Sequence, residues 1–266
     1  MSASAYVIRD SATMLRRNFV HMMRYPSVSL LVIAIPVILL ILFVYVFGGT
    51  LGAGLGETFE SRSAYLDYVT PGILLFAIAG SSQTTAISVS MDMTEGIIAR
   101  FRTMGIARSS VLMGHVVGST VQTMAGVVLV SGFAVLVGFR PNATPVEWIA
   151  AAGLLLMIAV AITWLSVALG LFPKTVEGAS NLPMPLILLP FLSSGFVPTE
   201  TMPAGVAWFA ENQPFTPFIE TLRGLLMGTP IGNSGLLAIA WCAVITFVGM
   251  RWGLRLYDRG SSRSRG

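Results

Sequence analysis

Charged side chains are scarce in this sequence: Asp, Glu, Lys and Arg make up 11% of its 266 residues, whereas 55% of the residues are hydrophobic. A soluble domain carries roughly a quarter charged residues. The shortage excludes an ordinary soluble domain, and lipid is the expected solvent for most of the chain. The net charge of +4 then indicates basic loops on one side of a membrane, and no nucleic-acid partner is expected.

Groups that bind metals, form disulfides or catalyse reactions are equally rare. One cysteine, Cys242, and two histidines, His21 and His115, exclude an internal disulfide framework and a zinc cluster. Lys174-Thr175 lacks the glycines of a phosphate-binding loop, so the chain is expected to be no enzyme and to bind no cofactor itself. The apolar runs hold almost no ionisable groups, which argues against an ion-coupled carrier. A transported substrate would therefore need a partner that supplies the energy.

Long apolar runs, by contrast, are abundant. A helix needs about 20 mainly apolar residues to cross a bilayer, and six runs approach this length. They lie at Val28–Phe47, Pro71–Met91, Ser110–Val137, Val146–Leu171, Leu182–Val197 and Ser234–Trp252. The sequence predicts an all-α integral membrane protein, a single domain over residues 1–266 with a six-span bundle over residues 28–252.

The basic residues predict the orientation of these spans. If both termini face the cytoplasm, 13 of the 16 Lys and Arg residues lie inside. The inside residues are Arg9, Arg16, Arg17, Arg24, Arg100, Arg102, Arg108, Lys174, Arg251, Arg255, Arg259, Arg263 and Arg265. Only Arg62, Arg140 and Arg223 lie outside. This bias requires an even number of spans and supports six.

The two ends of the chain have distinct patterns. Within residues 1–25, apolar side chains recur at helical spacing, with most arginines on the other face. The apolar residues are Ile8, Ala12, Leu15, Phe19 and Met22. This pattern predicts an amphipathic helix in the membrane interface, and the alternative is a plain basic anchor for the first span. Residues 253–266 are expected to form a basic cytoplasmic tail, disordered over its last residues, DRGSSRSRG.

Charge is concentrated in the loop "TEGIIARFRTMGIARSS", residues 94–110, between the second and third spans. Helical spacing places Ile97, Ile98, Phe101 and Met104 on one face. Such a short amphipathic helix can dock into a groove on another protein. Alternatively, the arginines only fix the topology while Phe101 rests on the membrane. Spacing alone does not separate these interpretations.

The longer stretch "EGIIARFRTMGIARSSVLMGH", residues 95–115, resembles the cytoplasmic loop of ABC-2-type permeases, especially the daunorubicin-resistance-type drug-efflux branch. The matching positions are Gly96, Ile97, Arg100, Phe101, Arg102, Thr103, Met104, Arg108, Val111, Leu112 and Gly114. Gly105 stands where that family often has proline, which implies a looser turn. Three further stretches resemble the same family: GFRP at 138–141, SGFVPTETMP at 194–203 and QPFTPFIETLRGLLMG at 213–228.

The resemblance implies roles for particular residues. The loop would be a coupling helix that seats in a cleft of a separate ATPase, with Phe101 as its apolar anchor and with polar contacts from Glu95, Arg100 and Arg102. The full coupling set is Asp92, Glu95, Gly96, Arg100, Phe101, Arg102, Met104 and Arg108, joined by a smaller contact at Lys174 and Glu177. The N-terminal helix would be a connecting helix beside the same ATPase, through Arg9, Arg16, Arg17, Phe19 and Arg24.

The resemblance also implies the assembly and the substrate. Two permease subunits, expected to be identical, would pair in a bacterial cell membrane and bind two copies of an ATPase that holds ATP and magnesium. The exported substrate would be a hydrophobic drug, an antibiotic or a lipid-like molecule. Export of a polysaccharide or lipid-linked glycan is the alternative. A secondary carrier is a further alternative, which the scarcity of ionisable groups in the spans disfavours. A scaffold without transport is another, and it leaves the loop motif unexplained.

Two polar regions allow alternative interpretations. Gln83, Thr84, Ser88 and Gln122 either line a substrate path between two permeases or form hydrogen bonds that pack helices together. The segment 198–230 is either a pair of short re-entrant helices, as the resemblance implies, or an ordinary extracellular loop. Within it, Glu220 and Arg223 are three residues apart on a predicted helix and are expected to pair.

Overall fold

A computed structural model describes residues 26–48, 62–94, 108–173 and 175–263, and these residues are mainly helical, with no strand among them. The α-helices are α1 (Pro26–Ile41), α2 (Arg62–Thr94), α3 (Arg108–Val137), α4 (Pro145–Leu171), α5 (Val176–Asn181), α6 (Met184–Leu188), α7 (Ala204–Asn212), α8 (Phe215–Met227) and α9 (Ser234–Arg263). A π-helical turn, Leu42–Phe47, extends α1, and a 3₁₀ turn, Leu189–Leu192, extends α6.

Four helices, α2, α3, α4 and α9, are long and apolar enough to cross a membrane. Two shorter apolar helical stretches, Ile33–Phe47 and Val176–Leu192, lie where the first and fifth spans were predicted. The predicted all-α membrane class is therefore confirmed. The third and fourth predicted spans match α3 and α4 to within two residues at each end.

The second helix begins earlier than the sequence suggested. Pro71 was taken as the start of the span, but α2 begins nine residues before it, at Arg62. A proline inside a helix costs about 3 kcal/mol or more, through a lost hydrogen bond and a clash with the preceding turn. Tyr65, Leu66 and Val69 are buried in the bundle, and this burial offsets that cost.

The fifth predicted span, Leu182–Val197, is not one continuous helix. The helical structure begins at Val176, is interrupted between α5 and α6, and ends in the 3₁₀ turn at Leu192. Pro183, Pro185 and Pro190 interrupt it because proline cannot donate the backbone hydrogen bond that a helix interior needs. Residues 193–197 form a tight turn instead.

The last helix is longer than predicted. It runs eleven residues beyond Trp252 to Arg263, so the described part of the predicted tail is helical rather than disordered. Tyr257 explains part of this extension because it is buried against Leu112, Val116 and Trp164. Burial of an aromatic side chain favours continuation of the helix that carries it.

The helices pack around α4, which contacts α2, α3 and α9. Glycine allows two of these approaches to be very close. A Cβ on Gly170 of α4 would lie 2.5 Å from the carbonyl oxygen of Ala86, and a Cβ on Gly249 of α9 would lie 2.8 Å from the amide nitrogen of Leu165. Small residues at such contacts let helix backbones approach each other in membranes.

The outer surface of the bundle is apolar. Val128 and Leu136 on α3, and Leu236 on α9, are each more than 60% exposed. Exposed apolar area on this scale, on helices long enough to span a bilayer, is what contact with lipid chains or with another membrane subunit requires.

The segment 198–230 contains two short α-helices, α7 and α8, before α9. α7 is mostly exposed, whereas α8 buries Phe215, Phe218, Ile219 and Leu222 completely. Gly228 ends α8 with a φ of 72°, a left-handed conformation that glycine adopts without strain.

Candidate functional site

The end of α2 and the start of α3 are joined by a polar pair. The Asp92 carboxylate lies 3.1 Å from Nε2 of His115, and the two side chains are 9% and 10% exposed, respectively. Residues 95–107, the core of the predicted coupling loop, connect the same two helix ends. His115 is an ionisable residue within the otherwise apolar third predicted span, and the sequence did not indicate Asp92 as its partner. Asp92, expected to contact an ATPase, points instead into the bundle.

Most other predicted coupling residues lie outside the described residues. These are Glu95, Gly96, Arg100, Phe101, Arg102, Met104 and Lys174, together with the connecting-helix residues Arg9, Arg16, Arg17, Phe19 and Arg24. Arg108 is the first residue of α3. Glu177 is exposed in the first turn of α5, where the Thr175 hydroxyl accepts a hydrogen bond from the Gly178 amide.

A polar cavity of about 50 Å³ opens between α2 and α3. Three of the four predicted path residues, Thr84, Ser88 and Gln122, line it. The Thr84 hydroxyl donates to the Ser81 carbonyl of its own helix, at 2.9 Å. Ser88 and Gln122 make no hydrogen bond to any residue the structure describes. Their polar groups are therefore available to a molecule in the cavity.

The same region also contains an interhelical hydrogen bond. In the cavity wall, the Thr123 hydroxyl donates to the Ser81 hydroxyl at 2.9 Å, and both side chains are buried. The polar residues of this region thus include an interhelical hydrogen bond between Thr123 and Ser81 as well as cavity-lining side chains such as Gln122. Their place on a substrate path stays a prediction. Gln83 differs from the other path residues because its amide donates to the Ser180 carbonyl of α5, at 3.0 Å, away from the cavity lining.

Arg223 of α8 makes the main polar contacts at the end of the bundle opposite to Asp92 and His115. Its Nη2 donates to the carbonyl oxygens of Ser194, at 2.8 Å, and of Tyr68, at 3.2 Å. Its Cζ lies 3.8 Å from the centroid of the Tyr68 ring. The predicted pairing with Glu220 is wrong, since the Glu220 carboxylate accepts from the Ser234 hydroxyl instead, at 2.6 Å. Each of the two side chains thus bonds to residues other than its neighbour on α8, and the buried Nε of Arg223 has no hydrogen-bond partner among the described residues.

Tyrosines of α2 hold the turn at residues 193–197. The Tyr68 hydroxyl donates to the Ser194 carbonyl at 2.9 Å, and the Tyr65 hydroxyl donates to the Phe196 carbonyl at 3.3 Å. Gly195 packs so close to Gly72 that a Cβ on Gly72 would lie 2.8 Å from the Gly195 carbonyl oxygen. Sequence analysis missed these contacts. The available signal was the spacing of Tyr65 and Tyr68, three residues apart on one helix face.

These features define a class of protein, a multi-pass helical membrane protein with a polar cavity between two of its spans. The chain belongs to the ABC-2 type transporter family, whose model matches residues 10–227. That match includes the charged loop, the cavity and the turn that Arg223 holds.

Named relatives support a branch within this family. The chain is 26% identical over 229 residues to the daunorubicin resistance ABC transporter permease protein DrrB1 of Streptomyces coeruleorubidus, covering 85% of this chain and 78% of that protein. It is 23% identical over 180 residues to the probable doxorubicin resistance ABC transporter permease protein DrrC of Mycobacterium tuberculosis, covering 68% and 65%. The resemblance to the drug-efflux branch is therefore confirmed.

Proposed function

We propose that this chain is the membrane permease subunit of an ATP-driven exporter that moves a hydrophobic drug or antibiotic out of a bacterial cell. The main support for the proposal is that α2 and α3 line the polar cavity and are connected by the charged loop that resembles the family's coupling loop. Membership of the ABC-2 family supports transport, and the two relatives named for daunorubicin and doxorubicin resistance support a drug as substrate.

The energy comes from a separate ATPase that binds ATP and magnesium, two copies per transporter. The loop at residues 95–107 docks on it, with Phe101 as the apolar anchor and Glu95, Arg100 and Arg102 as polar contacts. Interface energy is usually concentrated in a few aromatic and arginine residues, which this loop provides. Glu177 is exposed at the start of α5 and suits the second, smaller contact with Lys174.

The distribution of arginines between the two ends of the bundle supports a cytoplasmic location for both termini. Arg62, Arg140 and Arg223 lie near one end of the bundle. The ends of α3 and α9 at the other end, with Asp92 and His115, carry Arg108, Arg251, Arg255, Arg259 and Arg263. The second end is the cytoplasmic one by the positive-inside rule. Six membrane passages result if α1 and the broken stretch α5–α6 each cross. α7 and α8 then dip into the outer leaflet from outside.

Two copies of the permease complete the path. A drug-sized ligand needs a pocket of about 300–1,000 Å³, far more than the cavity within one subunit offers. A second, identical subunit facing this one supplies the remaining volume. Motion of the ATPase displaces the loop at residues 95–107. Because the Asp92–His115 pair links α2 and α3, the two helices move together, and this movement changes the shape of the cavity that they line.

A growth assay tests this function. The chain is expressed in a drug-sensitive bacterium alone, with a candidate partner ATPase, and with that ATPase inactivated in its phosphate-binding loop. We expect resistance to doxorubicin or another amphipathic drug only with both active subunits. Failure of the chain to co-purify with any ATPase contradicts the proposal. Resistance to no drug, together with accumulation of a lipid-linked glycan in the gene deletion, favours the glycan-export alternative.

A further inference from the structure

A groove on the outer face of α9 combines apolar walls with two arginines. Phe247, Val248, Arg251, Trp252 and Arg255 line it, and its volume is about 470 Å³. Residues 247, 251 and 255 are four apart and therefore share one helix face. Trp252 closes one side by contact with Phe172 at the end of α4, with ring centroids 5.8 Å apart. The groove is separate from the cavity between α2 and α3.

The two guanidinium groups have no acidic partner in the part of the chain that the structure describes. The Cζ of Arg251 lies 5.0 Å from the centroid of the Phe247 ring, and both arginines are exposed. No carboxylate lines the groove. The site therefore holds two positive charges above an apolar floor. A guanidinium is also the side-chain group whose donors best match the oxygens of a phosphate.

The position of the groove identifies the kind of ligand. Phe247 and Val248 are about half exposed and belong to the apolar surface of α9. Arg251 and Arg255 come after them along the helix, within about two turns. Acyl chains would lie against the apolar residues and a phosphate against the arginines. Trp252 has the amphipathic ring that is enriched where membranes meet water. Along the groove, apolar surface, aromatic ring and cation therefore follow each other in the same order as the acyl chains, interfacial region and phosphate of one lipid molecule in a single leaflet.

We propose that this groove binds an anionic phospholipid of the cytoplasmic leaflet. Basic pockets at the cytoplasmic ends of membrane helices attract anionic headgroups. The two arginines repel the positively charged ammonium group of a zwitterionic headgroup. The leaflet assignment rests on the orientation given under Proposed function. The groove itself, its charge and its ligand class do not depend on transport.

The test counts bound lipid on the purified full-length permease. The protein in detergent is titrated with phosphatidylglycerol or phosphatidylcholine and examined by native mass spectrometry. We expect phosphatidylglycerol to bind preferentially and the double variant Arg251→Gln/Arg255→Gln to bind it roughly thirtyfold more weakly. The single variants provide the same comparison with smaller losses if the double variant aggregates.

The control is the double variant Arg62→Gln/Arg140→Gln, which removes the same charge from the opposite end. Arg62 also lies over an aromatic ring, with its Cζ 5.0 Å from the Tyr45 centroid, so the control removes a comparable contact. It should bind phosphatidylglycerol as the parent does. Equal binding of both lipids, or equal loss in both double variants, overturns the proposal. Displacement of the lipid by inorganic phosphate at equal concentration overturns the role of the acyl chains.

Because no ATPase and no drug is present, the result is independent of the proposed export function. A permease that exports a drug but binds no phosphatidylglycerol refutes the lipid site alone. A permease that binds the lipid but exports nothing refutes the export function alone.

Discussion

The Asp92 carboxylate lies 3.1 Å from Nε2 of His115, across the interface between α2 and α3. The pair connects the two helices at the ends of residues 95–107, which we propose as the coupling segment. A contact at this place keeps the ends of the segment together, so that a force on it moves both helices. Its nearly complete burial shields it from water, which strengthens the interaction relative to a surface pair.

We predict that Asp92 and His115 act as a unit in coupling. Asp92→Ala and His115→Ala should each reduce drug-stimulated ATP hydrolysis by the assembled transporter, and the double variant should be no worse than the poorer single variant. The expected coupling energy in the double-mutant cycle is about 1 kcal/mol. Met113→Ala, an exposed substitution on the same turn of α3, is the control. Strictly additive losses would show that the two residues act separately.

We predict that Gly170→Ala destabilises the permease by about 1–3 kcal/mol because the added Cβ would meet the Ala86 carbonyl oxygen in tightly packed surroundings. Gly153→Ala in the same helix α4 is the matched control, since a Cβ there meets no atom within 4 Å. Thermal denaturation of the purified protein, followed by loss of the monodisperse species, measures both. Equal midpoints for the two variants would refute the close contact between α2 and α4.

We predict that Arg223→Gln lowers stability by about 2 kcal/mol or more, because it removes charged hydrogen bonds to two carbonyl oxygens. Arg140→Gln is the comparison, since Arg140 also donates to two carbonyl oxygens but is exposed. It should change stability by less than about 1 kcal/mol. Proteolysis near residues 193–197 should accelerate in Arg223→Gln alone, and unchanged cleavage would exclude its role in holding this turn.

We predict that the two glutamines of the predicted path respond differently to substitution by leucine. Gln122→Leu should impair drug export while leaving the denaturation midpoint nearly unchanged, because its amide faces the cavity without a described partner. Gln83→Leu should lower the midpoint by about 1 kcal/mol through loss of its bond to Ser180. The reverse pattern would mean that the cavity is not on the substrate path.

Features of the fold that depend on interactions between residues close in the sequence could be predicted, whereas features that depend on distant residues could not. The bounds of α4 were predictable because Thr144 and Glu147 form a local capping box and proline occupies the first turn. The start of α2 was not, because the burial that carries the helix through Pro71 comes from distant elements. The partners of Arg223 were equally inaccessible, since Tyr68 and Ser194 lie 155 and 29 residues away in the sequence.

The sequence left cavity lining and helix packing as alternatives for the polar residues of α2 because it did not give their orientation. Neighbouring polar residues of α2 point in different directions, so that Thr84 lines the cavity whereas Gln83 bonds to α5. Helical periodicity separates such neighbours by about 100° but does not say which face meets α3. Only the packing of α2 between α3, α4 and α5 determines it.

The most direct test of the account is drug uptake by inside-out membrane vesicles that contain the chain and its ATPase. We predict uptake of a fluorescent drug such as doxorubicin that requires ATP and both subunits. Phe101→Ala should abolish uptake and ATPase co-purification while leaving the amount of permease in the membrane unchanged. Uptake by the chain without any ATPase, or undiminished uptake and co-purification with Phe101→Ala, would contradict the account.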